Sequence, residues 1–270
     1  MTDKRPIDDL LEVMARLRDP DSGCPWDAEQ TFETIAPYTI EEAYEVADAI
    51  RHDDMAQLED ELGDLLFQVV FYAQMSREAG GFDFDDVARR IATKMRDRHP
   101  HVFGEAEERN VSRQMVAWEA QKAEEREALA SRRGRRASVL DGVALALPAL
   151  MRAQKLQKRA ARVGFDWPDL APVLAKIHEE LAEIEAELTD TPDSARVAEE
   201  AGDFLFACVN LVRWLGVDAE TALRDTNAKF ERRFRHVEQG LEDKGKSPSD
   251  SDLEEMEVLW DDAKAIEKGR

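Results

Sequence analysis

The sequence predicts an all-α protein, and three observations lead to that prediction. Glycine and proline are scarce, with 13 and 10 among 270 residues. Apolar residues recur in several segments at the i, i+3, i+4, i+7 spacing of an amphipathic helix. We find no alternating strand pattern bounded by turn residues. Together these features favour a protein built from packed helices.

Three of these helices are predicted in chain order from the spacing of their apolar residues. The first has its apolar positions at Ile7, Leu10, Leu11, Met14 and Leu17. The second has them at Leu58, Leu62, Leu65, Leu66 and Val69. Asp54 followed by Gln57 resembles a capping box and marks the start of this second helix. The third has its apolar positions at Leu174, Ile177, Leu181, Ile184 and Leu188.

The balance of charge excludes several classes of protein. The chain has 37 lysines and arginines against 59 aspartates and glutamates, which gives a formal net charge of −22. So acidic a chain is not held on nucleic acid or an anionic membrane by its overall charge. No apolar run approaches the ~20 residues that cross a bilayer. We therefore predict a soluble cytoplasmic protein that has neither nucleic acid nor a membrane among its partners.

The positions of the two cysteines, Cys24 and Cys208, exclude two further kinds of site. They lie far apart and in no CxxC motif. This pattern excludes a disulfide framework and a cysteine-rich zinc site. Both are expected to be structural thiols.

The two halves of the chain resemble each other. Glu61–Val70 lines up with Glu200–Val209, with six identities in ten positions. Between the halves the helical pattern breaks at a charged, glycine-containing stretch, residues 131–138. A repeat as long as half the chain indicates a duplicated domain. We therefore predict an N-terminal domain over residues 1–130, a linker over 131–138 and a C-terminal domain over 139–270.

Each half carries an EExxE motif followed by an ExxD motif. The acidic positions are Glu42, Glu45, Glu61 and Asp64 in the first half, and Glu180, Glu183, Glu200 and Asp203 in the second. Residues three apart share a helix face, and a turn between the two motifs brings their helices together as a hairpin. Clustered carboxylates repel one another unless a cation neutralises them, and oxygen ligands without imidazole or thiolate suit Mg²⁺ or Mn²⁺. One such motif alone is also typical of a solvated helix face, but its repetition in register favours a metal site.

Two pairs of basic residues also occupy matching places in the halves. They are Lys94 with Arg98, and Lys229 with Arg233. Each pair is spaced i, i+4 and places two positive charges on one helix face, where they suit the oxygens of a phosphate. Trp118 and Trp260 follow at matching places, and either stack on a nucleobase or belong to the core.

One string imitates a nucleotide-binding motif. Gly240–Ser247 matches the phosphate-loop pattern GxxxxGK[ST] letter for letter. A charged helix precedes it where the motif requires a strand, and Glu242 and Asp243 would repel phosphates. We predict an ordinary loop here.

Taken in order, these motifs resemble the MazG family of nucleoside triphosphate pyrophosphohydrolases over essentially the whole chain. Besides the acidic motifs, the resemblance rests on Gly23–Asp27 (GCPWD), Arg98–Gly104 (RHPHVFG), Lys229–Phe234 (KFERRF) and the Trp260 segment. Each string is weak alone, but the ordered set over two halves is specific.

The resemblance implies Mg²⁺-dependent hydrolysis of a nucleoside triphosphate to the monophosphate and pyrophosphate, with Mn²⁺ as a substitute and broad base tolerance. It implies tandem four-helix-type MazG domains assembled as a homodimer. The implied metal ligands of the second half are Glu180, Glu183, Glu200 and Asp203. The implied nucleotide contacts are Lys176 to Glu180, Arg196 to Glu199, Lys229, Arg233 and Trp260. The first-half equivalents of the ligands and of the basic pair are Glu42, Glu45, Glu61, Asp64, Lys94 and Arg98. Our own hypothesis is that Glu179, and Glu41 in the first half, act as orienting groups or as bases.

The alignment also shows that the halves differ. Tyr38 stands opposite Lys176, so the first half lacks that lysine. We therefore expect the activity to lie in the second half. Two alternatives stay open: a related hydrolase specific for dUTP or phosphoribosyl-ATP, and a non-catalytic acidic helical protein that binds partners through its charged faces.

Overall fold

The structure is a computed structural model. It describes residues 4–103, 120, 122–124, 126–128, 130–132, 134–188 and 193–268. These residues form helices and turns with no strand among them, which confirms the all-α prediction. The chain divides into two compact units, Met1–Gln121 and Lys122–Arg270; the linker at residues 131–138 stays a prediction. None of the helices in the described ranges combines the length and the apolar character needed to cross a membrane.

The first unit is arranged around one long central helix. Its helices are α1 (Pro6–Leu17), α2 (Pro25–Glu29), α3 (Phe32–Arg51), α4 (Met55–Glu78), α5 (Phe84–Arg98) and α6 (Pro100–Phe103). Helices α1, α3 and α5 all pack against α4, and α3 runs along it most extensively. Asp54 caps α4 as predicted, because its Oδ1 accepts from the backbone N–H of Ala56 and Gln57 at 3.1 and 3.0 Å. The side chain of Gln57 does not complete a capping box and donates to Glu61 instead, at 3.3 Å.

The core of the first unit lies under the C-terminal half of α4. Its buried members are Met14, Ile35, Val70, Phe71 and Met75. The apolar stripe predicted for α4 is a different face of the same helix. Leu62, Leu66 and Val69 are 49%, 39% and 36% exposed within this unit. The spacing of the apolar residues therefore predicted the helix correctly. It did not predict which apolar face of the helix packs against the core of the same unit.

The second unit repeats this plan. From residue 149 onward its helices are α7 (Ala149–Arg162), α8 (Leu170–Glu187), α9 (Ser194–Trp214), α10 (Ala219–Glu242) and α11 (Leu253–Lys268), with a 3₁₀ turn at Pro248–Asp250. Helix α8 packs along α9, α7 packs against α9 and α10, and α10 packs against α11. The buried Gln154 on α7 fixes the turn between α9 and α10. It donates to the carbonyl of Val217 at 2.7 Å and accepts from the N–H of Ala219 at 3.0 Å.

Candidate metal centre

The carboxylates of the second unit converge from α8 and α9. Glu180, Glu200 and Asp203 each contribute an oxygen atom, and these atoms all lie within 4.8 Å of one another. Glu183 lies beside them. Partial desolvation raises the pKa of its carboxyl group, and the charges of Glu180 and Glu200 raise it further. The packing of α8 on α9 therefore brings all four predicted carboxylates of this half together.

Glu180 is the buried member of this cluster, with 4% of its surface exposed. Its Oε1 lies 2.6 Å from the ammonium of Lys176, one turn earlier on α8. Its Oε2 is buried and has no hydrogen-bond partner among the described residues. Such an orphaned carboxylate oxygen is costly unless a ligand satisfies it. Oxygen donors without nitrogen or sulfur fit a hard divalent cation such as Mg²⁺.

Lys176 places a positive charge directly against the cluster. Besides Glu180, its ammonium donates to Oε1 of Glu179 at 2.8 Å. These two carboxylates, Glu179 first, raise the pKa of Lys176 above its ordinary value, so the side chain stays charged. Glu179 is itself exposed, so this second ion pair of Lys176 lies at the protein surface.

The first unit has a matching cluster on α3 and α4, none of whose members is fully buried. Oxygen atoms of Glu42, Glu45 and Glu61 lie within 4.8 Å of one another. Burial and then the charge of Asp64 raise the pKa of Glu42, while the charge of Glu61 is the main reason that the pKa of Glu45 is raised. Tyr38 occupies the place of Lys176. Its ring is 41% exposed and makes an edge contact with another aromatic ring, so this position brings no cation to the cluster.

The second-half basic pair lies on α10, and its Arg233 faces α11. Nε of Arg233 donates to Glu267 at 2.8 Å, and its guanidinium lies 5.7 Å from the ring centroid of Trp260. Arg233 holds the pKa of Glu267 below its usual range. The Trp260 ring also lies 5.2 Å from that of Phe230. Arg233 and Trp260 thus form one contiguous group, whose contacts are distinct from those of the carboxylate cluster.

The other predicted residues lie around these groups. Lys229 is half-buried one turn before Arg233 and has no ion pair within the described part of the chain. Arg196 on α9 pairs with Glu187 of α8 at 2.7 Å, and Glu199 is exposed. In the first unit, Lys94 and Arg98 are half-buried near the end of α5. Trp118 and Gly104 lie outside the described residues.

The phosphate-loop string has the geometry of an ordinary helix end. Gly240–Glu242 are the last residues of α10. Lys244 and Lys246 both pair with Glu255, at 3.0 and 2.8 Å. The lysine that a phosphate loop would need is therefore already engaged by a carboxylate.

Sequence reasoning missed a cavity in the second unit. It has a volume of about 510 Å³ and is lined by residues of α7, α8 and α9 and of the segment that joins α7 to α8. Lys176 belongs both to this cavity and to the carboxylate cluster. A signal was present, because the repeat places Asn210 where the first half has Phe71. A polar residue on a buried helix face is the kind of exception that marks a site.

Comparison with known proteins decides the family. The model of the MazG nucleotide pyrophosphohydrolase domain matches the chain twice, over residues 30–103 and 170–238. Each match contains one of the two carboxylate clusters. The chain belongs to the MazG family. It is accordingly an enzyme of the hydrolase class that acts on phosphorus-containing anhydrides, and the family resemblance noted in the sequence is confirmed.

Individual MazG relatives agree with this membership. The chain is 53% identical to the nucleoside triphosphate pyrophosphohydrolase of Escherichia coli K12, over 97% of this chain and 98% of the relative. It is 40% identical to the nucleoside triphosphate pyrophosphohydrolase/pyrophosphatase MazG of Thermotoga maritima, over 96% and 95% of the two chains. A nucleoside triphosphate pyrophosphohydrolase of Mycobacterium tuberculosis is 39% identical over 58% of this chain and 45% of its own length.

Proposed function

We propose that this MazG protein hydrolyses nucleoside triphosphates to monophosphate and pyrophosphate, with Mg²⁺ held by the carboxylates of the second unit. These carboxylates are Glu180, Glu183, Glu200 and Asp203. The observation that carries the proposal is the buried, unpartnered Oε2 of Glu180 inside a cluster of carboxylate oxygens. Bound Mg²⁺, or Mn²⁺ in its place, supplies positive charge to the phosphate oxygens.

The protein's own residues then position the triphosphate and the attacking water. Lys176 lies at the edge of the cluster and is charged, so it suits a phosphate oxygen next to the metal. Lys229 and Arg233 contact the rest of the triphosphate, and Trp260 contacts the nucleotide. Glu179 lies outside the set of cluster ligands, where it orients Lys176 and accepts a proton from the water.

The same geometry favours the second unit over the first. The two clusters offer similar carboxylates, and in the second Lys176 pairs with the buried Glu180. Tyr38 stands in that place in the first unit and brings no positive charge to a phosphate. The catalytic site is therefore proposed for the second unit, and the first unit serves chiefly as a structural partner.

A homodimer accounts for the apolar faces that each unit leaves exposed. Leu62, Leu66 and Val69 share one face of α4, at i, i+4 and i+7. On α8, Leu174 and Leu181 are also about 40% exposed and lie seven residues apart. Exposed apolar stripes of this kind are typical of interfaces. We propose a cytoplasmic homodimer that controls the nucleotide pool and tolerates many bases, because the proposed chemistry acts on the triphosphate.

Product analysis tests the reaction. Purified protein with Mg²⁺ is given each NTP, each dNTP, dUTP and phosphoribosyl-ATP separately, and the products are resolved by ion-exchange chromatography. We expect monophosphate and pyrophosphate from several bases. Diphosphate and phosphate would show that a different bond is broken, and turnover of dUTP or phosphoribosyl-ATP alone would indicate a narrower hydrolase.

A pair of matched double variants locates the site. Glu180→Gln with Glu183→Gln should abolish product formation, whereas Glu42→Gln with Glu45→Gln should leave most of it. The two variants remove the same charges from the same motif in different halves. The opposite result would place the reaction in the first unit.

A further inference from the structure

Positive charge is concentrated in one stretch of the acidic chain. Residues 131–165 contain nine lysines and arginines and a single acidic residue, Asp141, so their net charge is +8. The rest of the chain has a net charge of −30. So acidic a protein repels a nucleoside triphosphate, which is itself an anion. Residues 131–165 are the part of the chain whose charge attracts it.

Helix α7 carries five of these nine positive charges on one face. Its charged residues are all basic, namely Arg152, Lys155, Lys158, Arg159 and Arg162. At 3.6 residues per turn the five fall within an arc of about 120°. Three of them, Lys155, Lys158 and Arg162, are exposed. We call this arc of five residues the basic face of α7.

The basic face lies beside the cavity of the second unit. Leu156 and Ala160 of α7 line that cavity. Between them in the chain, Arg159 donates to the backbone carbonyl of Asp141, which follows another lining residue, Leu140. A helix with its side chains is only ~10–12 Å across. Charges on α7 therefore lie within about one Debye length of the cavity, which is ~10 Å at 0.1 M salt.

The matching helix of the first unit has the opposite charge. Helix α1 packs against α4 as α7 packs against α9. It carries three acidic residues, Asp8, Asp9 and Glu12, and one basic residue, Arg16. Its net charge is therefore −2, whereas that of α7 is +5. Since the same place in the fold accepts either sign, packing does not require a basic helix. The basic helix belongs to the unit for which catalysis is proposed, and this indicates a role in handling the substrate.

We propose that the basic face of α7 draws the anionic triphosphate towards the carboxylates of the second unit. The attraction acts through space and needs no hydrogen bond between α7 and the substrate. Lys176 lines the cavity and pairs with Glu180, so it receives the phosphates once they arrive. This inference rests on the proposed function, because it takes the triphosphate to lie at the carboxylates.

Neutralising the exposed charges tests the proposal. Lys155→Gln, Lys158→Gln and Arg162→Gln are combined in one variant, and ATP hydrolysis is measured at ionic strengths of about 0.01 M and about 1 M, where the Debye length is ~30 Å and ~3 Å. At the lower ionic strength kcat/KM should fall about tenfold. The value of kcat should not change, because these side chains do not contact the reacting atoms. At the higher ionic strength the variant and the wild type should agree within about twofold.

A second triple variant controls for the net charge of the protein. Arg89→Gln, Arg90→Gln and Arg96→Gln remove three exposed charges from α5 of the first unit. Both variants make the chain more negative by the same amount, but only the α7 variant changes the charge beside the cavity. The α5 variant should retain the kcat/KM of the wild type. Equal losses for the two variants would overturn the proposal, and so would a loss in the α7 variant that salt does not reduce.

Single variants separate attraction at a distance from direct contact. Because Coulomb energies add, each of the three α7 substitutions should account for roughly a third of the change in the logarithm of kcat/KM. A loss concentrated in one residue would show that this residue binds the substrate directly. That result would overturn the proposal.

A binding measurement does not depend on hydrolysis. In α,β-methylene-ATP a carbon replaces the bridging oxygen, so pyrophosphate cannot be released. Its dissociation constant, measured by calorimetry at about 0.01 M ionic strength, should rise about tenfold in the α7 variant. An unchanged dissociation constant would overturn the attraction. Weaker binding in the variant, together with no pyrophosphate from any nucleotide in the wild type, would leave the attraction standing and overturn the proposed reaction.

Discussion

Lys176 forms an ion pair with Glu180 one turn later on α8, with 2.6 Å between Nζ and Oε1. The glutamate side chain is 5% exposed and the lysine side chain 35%. One oxygen of the buried carboxylate is thereby paired, while the other has no hydrogen-bond partner among the described residues. The pair distinguishes the second unit from the first, where Tyr38 holds the lysine's place.

The first prediction concerns removal of this lysine. Lys176→Met should lower the free energy of unfolding by about 1–2 kcal/mol, because a buried carboxylate loses its partner but the lysine is partly solvated. Adding Glu180→Gln to Lys176→Met should restore part of the loss. Urea denaturation measures both. Lys264→Met breaks an exposed pair with Asp261 and serves as the control, with an expected change below about 0.5 kcal/mol. A loss as small as that of the control would show that the pair is solvated.

The second prediction concerns metal binding without substrate. Mg²⁺ at a hundred times its dissociation constant should stabilise the unit that binds it by about 2.7 kcal/mol. Glu200→Gln should remove this gain from the transition of the second unit in differential scanning calorimetry. Glu61→Gln, the same change in the first unit, should not. No shift in either transition with up to millimolar Mg²⁺ would contradict a metal site.

The sequence predicted features that depend on local spacing. Helix α4 and its Asp54 cap follow from residues close together in the chain, and the convergence of the carboxylates follows from i, i+3 spacing on two packed helices. The cavity could not be predicted in this way. Gln157 and Asn210 are distant in sequence, and only the packing of α7 on α9 places both in one wall.

The limits of periodicity are clear on α4. Val70 and Phe71 are buried in the core of the unit, whereas Leu62 and Leu66 are exposed. An apolar stripe shows that a helix face avoids water, but it does not show whether the same unit or another surface covers it. The tertiary arrangement decides that, and single-sequence patterns do not contain it.

The third prediction concerns acid stability. Glu255 accepts from Lys244 and Lys246 and from Ser251, and these contacts, Lys246 first, lower its pKa from 4.5 to about 2. A carboxyl group whose pKa is lower in the folded than in the unfolded protein stabilises the fold at pH values above the unfolded pKa. This stabilisation is lost as the pH falls from about 4.5 to about 2. The stability difference between wild type and Glu255→Gln should therefore shrink over that window in urea titrations. Glu254→Gln, with no ion pair in the described ranges, should show no such trend. A constant difference for Glu255→Gln would contradict the prediction.

The fourth prediction compares two glycines of the first unit. Gly23 lies in the GCPWD segment, where its N–H donates to the carbonyl of Asp19 at 2.9 Å. A Cβ at Gly23 would overlap with the carbonyl oxygens of Leu17 and Asp19. Since these are backbone atoms, they cannot move aside without unwinding the end of α1. Gly23→Ala should destabilise the protein by about 1–3 kcal/mol.

Gly63 provides the control for this substitution. It lies within α4, and a Cβ there would meet nothing within 4 Å. Gly63→Ala should stabilise the protein by about 0.5–1 kcal/mol, because alanine is the better helix former. Urea denaturation of the two variants measures both signs under the same conditions. Equal effects at the two positions would show that the GCPWD segment can move away from α1, and the close approach at Gly23 would then not determine its conformation.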